Sequence, residues 1–126
     1  MTYLALYAAT LILFLALDLV WLRAVAMPLF KRHVGDLLAD DPKLPVAIAF
    51  YALYCAGVVY FAAAPAAGPG GAFFKGLLFG FFAYGTYEAT NMATLRGWRW
   101  EMVLKDTAWG AVVTGTAAAG AHAIAG

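Results

Sequence analysis

Four mostly apolar stretches, each of about 20 residues or more, fill nearly the whole chain, and such stretches have the length that spans a bilayer. They cover residues 3–25, 46–64, 72–95 and 103–125. At 1.5 Å per residue a helix of that length crosses about 30 Å of hydrocarbon. Water offers no such outlet. Of 126 residues, 65% are apolar and 12% charged, with a mean hydropathy of +0.81. Soluble domains run near 45–50% and about 25%. The pattern predicts an all-α integral membrane protein, a four-helix bundle in one transmembrane domain covering residues 1–126, with the lipid bilayer as its first partner.

The breaks between the stretches differ in kind. The first is polar, from Lys31 to Leu44, with Asp36, Asp40, Asp41 and Pro42; the first span is expected to end near Pro28. The second, from Ala64 to Gly71, is an uncharged Pro/Gly turn. The third is short and carries Arg96, Trp98, Arg99 and Trp100. With four spans, the first and third breaks share a side with Arg23, Lys31, Arg32, Lys43, Arg96, Arg99 and Lys105, and only Lys75 lies on the other. Basic residues near span ends face the cytoplasm, so both termini are expected outside (N-out, C-out), with Trp98 and Trp100 at the cytoplasmic interface.

Other features are excluded or bland. A net charge of +1 offers no field for nucleic acid. Ala24-Val25-Ala26 has the form of a signal-peptide cleavage site, but no basic residue precedes Arg23 and the apolar run is too long, so a retained first helix is expected. Cys55 is alone in an apolar run and reads as a small buried thiol. His33 in the polar break and His122 near the other end cannot share a metal, and no metal site is expected.

The polar residues within the spans carry the functional information. An ionisable group at mid-helix costs about 2.5–3.5 kcal/mol on insertion scales, so it faces the bundle and defaults to function. In the third span Tyr84, Tyr87, Glu88 and Asn91 fall at i, i+3, i+4 and i+7, on one face. Gly76 and Gly80 extend the same row and permit close helix approach. The first span has Tyr7, Thr10, Phe14, Asp18 and Trp21 on a stripe; the second has Tyr51 and Tyr54; the fourth has Asp106, Trp109 and Gly110. Alternating helix directions bring these groups to similar depth, in the cytoplasmic half. The expectation is an acidic, tyrosine-lined cluster with Asp18, Glu88 and Asp106 at its centre and Tyr54, Tyr84, Tyr87, Asn91 and Trp109 as further ligand-binding candidates. Taken singly, Tyr51, Tyr54, Asn91 and Trp109 read more readily as packing. Asp18 could equally be neutral, or paired with Arg23, Arg96 or Lys105.

The segments 17–22 (LDLVWL), 82–91 (FAYGTYEATN), 93–98 (ATLRGW) and 106–110 (DTAWG) together resemble the DUF2177 family, over nearly the whole chain. Where that family more usually has Asp, this chain has Glu88, which keeps the carboxylate on a longer arm. The resemblance implies a bacterial inner-membrane protein of four helices. It implies no activity.

Two main readings of function follow, with a third beside them. The first is a unit that binds or translocates a small cation, a proton or a polar or lipid head group at the acidic cluster. The second is a membrane-embedded enzyme on a lipid or other apolar substrate, with a carboxyl group as acid or base; no H-E-x-x-H, G-x-S-x-G or cysteine pair supports a named class. The third is an accessory subunit of a larger membrane complex. A homo-oligomer fits each. Cofactor and catalytic residues are left open by the sequence.

Overall fold

Thr2 opens the first helix by accepting a hydrogen bond on its side chain from the Ala5 amide at 3.2 Å. The structure, a computed structural model, describes residues 2–126 and is helical throughout apart from short connections. Helix α1 (Tyr3–Trp21) runs through a π-helical turn (Leu22–Ala26) into α2 (Met27–Val34) and a 3-10 turn (Gly35–Leu37). Helix α3 (Leu44–Val58), with Pro45 in its first turn, ends in a second π-turn (Val59–Ala63). Helices α4 (Pro69–Thr94) and α5 (Trp100–Ala125) complete the chain.

The first rod does not stop at Pro28, as its proline suggested. It continues to Leu37, so much of the expected polar loop is helix. A proline inside an α-helix lacks its N–H and clashes with the carbonyl four residues back. Here the π-turn moves the bonding register by one residue, with the Met27 amide bonding the Leu22 carbonyl. Pro28 then enters in the first turn of a fresh α-helical segment, where it is tolerated. The polar residues after it lie on that helix: His33 is half-buried against α5 rather than loose in a loop.

Helices α4 and α5 form the largest interface, antiparallel and very close. A Cβ on Gly76 would stand 2.8 Å from the Thr114 carbonyl oxygen, and one on Gly80 would overlap the carbonyl of Gly110. Gly85 sits opposite Thr107, one turn further along. The row Gly76–Gly80–Tyr84–Glu88 thus points at α5, as its spacing indicated. Helix α1 lies along another side of α5, and the second π-turn packs on α4.

The core is mostly apolar, as in a water-soluble protein, but much of the outer surface is apolar too. Thr10, Glu88 and Thr114 are completely buried, while Leu4, Ile12, Val20, Leu53, Phe74 and Leu104 are at least 60% exposed. Large aliphatic groups outside and polar groups inside suit a hydrocarbon solvent, not water. Two of the rods, Tyr3–Leu37 and Leu44–Ala63, are long and apolar enough to cross a membrane. Helices α4 and α5 are long enough, at about 39 Å each. Their glycine, threonine and charged residues, drawn inward by the close α4–α5 contact, make them less apolar.

Candidate functional site

Asp18, Glu88 and Asp106 are all buried, one on each of α1, α4 and α5. Asp18 is fully engaged. Its Oδ2 accepts a hydrogen bond from the Tyr51 hydroxyl at 2.8 Å, and its Oδ1 accepts one from Trp109 Nε1 at 2.9 Å. Position 18 falls on the α1 stripe that also buries Leu6, Thr10 and Phe14, so the helix period aims it at α3 and α5.

Glu88 is held from the other side. Its Oε1 accepts from Trp98 Nε1 at 2.9 Å. Trp98 reaches it because the connection after α4 folds back at Gly97, whose φ of +82° lies in the left-handed region that glycine adopts freely. A side chain there would also press on the His33 carbonyl, 2.8 Å from a built Cβ.

Glu88 and Asp106 are neighbours across the α4–α5 contact, near enough for each carboxyl group to feel the other. Glu88 Oε2 is buried and has no hydrogen-bond partner of good geometry, and the same holds for Trp21 Nε1 and Thr107 Oγ1. Trp21 lies beside Asp106 and stacks flat on Trp109, centroids 4.8 Å apart at 5°. A polar line therefore crosses the protein, from Tyr51 and Asp18 through the Trp109–Trp21 stack to Asp106, Glu88 and Trp98.

Among the described residues no Lys or Arg nitrogen lies within 4.0 Å of these three carboxyl groups. The internal counter-ions that the sequence allowed for Asp18 are engaged elsewhere or not in contact: Lys105 bonds Glu101 at 2.7 Å instead. Two neighbouring carboxyl groups at low dielectric do not both ionise without a cation between them. The arrangement is thus suited to hold a proton or a cation.

The other candidates divide. Tyr84 is half-buried, with its ring laid over Gly110, and Asn91 is half-buried one turn beyond Glu88. Tyr87 is 53% exposed and rests edge-on against Trp98, so it borders the cluster from outside. Tyr54 is buried and hydrogen-bonded to Thr114 at 2.9 Å rather than to any of the carboxyl groups. Sequence reasoning undervalued Tyr51 and missed Trp98 and Trp21 as partners. The Gly97-Trp98 pair was the available signal for Trp98, since a glycine-centred turn can return the next side chain to its own helix. Two open recesses, of about 220 and 250 Å³, lie towards opposite ends, and neither is lined by the acidic residues.

A family described as "Predicted membrane protein (DUF2177)" matches residues 3–123. The chain belongs to the DUF2177 family. That description agrees with the exposed apolar surface and carries no activity. No curated protein and no solved structure matches the chain. For this DUF2177 protein the chemistry of the cluster is the guide to function.

Proposed function

We infer that this DUF2177 protein is a multi-pass, four-helix protein of the bacterial inner membrane, N-out and C-out, that binds a proton or small cation at the Glu88–Asp106 pair. Asp18 adds negative potential nearby, and the pair lies in the half of the bundle assigned to the cytoplasmic side. The observation that carries the reading is the nearness of two buried carboxyl groups with no basic side chain beside them and one oxygen, Glu88 Oε2, unpaired. Intramembrane carboxylates of this kind serve proton and ion paths. The indole donors from Trp98 and Trp109 hold Glu88 and Asp18 in place while leaving Asp106 facing its partner.

The test is ligand-dependent stability of the purified protein in detergent. A ligand that binds the folded state raises Tm by mass action. Acidification, or one cation from a panel of sodium, potassium, magnesium and methylammonium, should stabilise the protein. Glu88→Gln should fold and lose that response. An unchanged response in Glu88→Gln and in Asp106→Asn would contradict the reading.

A further inference from the structure

One open recess lies where α1's continuation meets α5, and neither Glu88 nor Asp106 lines it. It measures about 250 Å³ and is lined by Ala24, Val25, Pro28, Leu29, Arg32 and Lys105. Its chemistry is divided. Ala24, Val25, Pro28 and Leu29 make an apolar wall, and the two cations supply the polar side. Ala24, Pro28 and Arg32 recur every four residues on one helical face, which runs from apolar to charged along the rod. Lys105 closes the recess from α5.

Lys105 is bonded to Glu101, while Arg32 is only loosely paired. Glu101 lies 3.6 Å from Arg32 Nη2 and 2.7 Å from Lys105 Nζ, so one carboxylate stands against two partly exposed positive charges, with His33 at 3.4 Å as a third neighbour. The Arg32 separation is too long for a charge-assisted hydrogen bond, which runs near 2.7–2.9 Å. Among the described residues the Arg32 guanidinium makes no side-chain hydrogen bond, so its donors are available. Guanidinium and ammonium groups side by side are the pair that recognises phosphate, the first by its planar fork and the second as a point charge. The apolar wall below them fits the start of a hydrocarbon chain.

We propose that the recess between Arg32 and Lys105 binds a phosphate group, with the apolar face of Ala24, Val25, Pro28 and Leu29 receiving the substituent that the phosphate carries. The chemistry fits the head group of a phospholipid and also free phosphate. The site is independent of the Glu88–Asp106 pair. Glu101 competes with the phosphate for both cations, so its removal and theirs act in opposite directions.

Native mass spectrometry of the full chain in detergent tests this with three probes: dioleoylphosphatidylglycerol, phosphate-free dioleoylglycerol, and inorganic phosphate as competitor. Phosphatidylglycerol should be retained and dioleoylglycerol not. Arg32→Gln/Lys105→Gln should weaken retention at least tenfold, the loss expected for removing hydrogen bonds to a charged group. Lys31→Gln/Lys43→Gln, which removes two cations away from the recess, should change it little. Glu101→Gln should tighten binding, and this variant keeps both cations should the double variant fail to fold. Displacement by inorganic phosphate assigns the site to free phosphate; lipid retained against it assigns a head-group site. Equal loss in the two double variants, equal retention of dioleoylglycerol, or no gain in Glu101→Gln would overturn the proposal. Glu88→Gln should leave this binding intact, which separates its failure from failure of the cation reading.

Discussion

Replacing Gly80 by alanine adds one methyl group at the point where α4 and α5 lie closest. The new Cβ would overlap the Gly110 carbonyl and stand 2.7 Å from Thr114 Oγ1. The obstacle is backbone, so no rotamer change relieves it, and the helices must part. Overpacking of this kind costs about 1–3 kcal/mol, and the backbone clash places Gly80→Ala at the upper end. Thr114 Oγ1 also bonds the Tyr54 hydroxyl, and disturbing that bond adds about 1 kcal/mol. Gly85 on the same helix supplies the control. Its added Cβ would rest 3.6 Å from Thr107 Cγ2, an ordinary contact, and alanine is favoured over glycine in helices by about 1 kcal/mol. Gly85→Ala should therefore be neutral or mildly stabilising, and Gly80→Ala should lose about 3 kcal/mol or more. Unfolding in a mild detergent titrated with dodecyl sulfate, followed by tryptophan fluorescence, measures both. If the two variants fall within about 1 kcal/mol of each other, the tight α4–α5 crossing is wrong.

Asp18→Ala strands two half-buried donors, Tyr51 and Trp109, and should cost about 2–4 kcal/mol, whereas Asp18→Asn can turn its oxygen to Trp109 and its amide to Tyr51 and should cost about 1 kcal/mol; thermal denaturation of the pair decides. At the start of α5, the Lys105 bond, followed by the His33 bond, holds the Glu101 carboxyl below its usual range. A lowered carboxyl contributes above the ordinary carboxylate range and loses that contribution as pH falls through its lowered value. The protection of α2 amides, as exchange corrected for the intrinsic rate at each pH, should thus fall only in acid, and salt should blunt the effect because Glu101 is exposed; a loss of protection at neutral to alkaline pH would contradict this. For orientation, a reporter active only in the periplasm, fused after Gly126, should be active, and activity of a cytoplasmic reporter there would reverse the N-out, C-out assignment.

What the sequence revealed and what it hid follow from range of interaction. Helix content and the inward row of Gly76, Gly80, Tyr84 and Glu88 are matters of period 3.6 and of the cost of polar groups in hydrocarbon. Both can be read locally. Pro28 misled because a π-turn is a tertiary accommodation with no distinctive composition, and the first rod ran on to Leu37. Trp98 read as an interfacial anchor because its real partner, Glu88, becomes visible only once Gly97 has turned the chain back. Lys105 could have reached the acidic cluster by position. The proximity of Glu101 one turn earlier on the same helix captured it instead.

The central claim is that a proton or a cation sits between Glu88 and Asp106, and infrared difference spectroscopy of the protein in lipid tests it most directly. Recorded in cation-free buffer near neutral pH, the spectrum should contain a protonated carboxyl C=O band that shifts on deuteration. That band should vanish in Glu88→Gln or Asp106→Asn, or be lost when a binding cation is added. A wild-type spectrum with no protonated carboxyl band, and no change on adding any of the tested cations, would contradict the account.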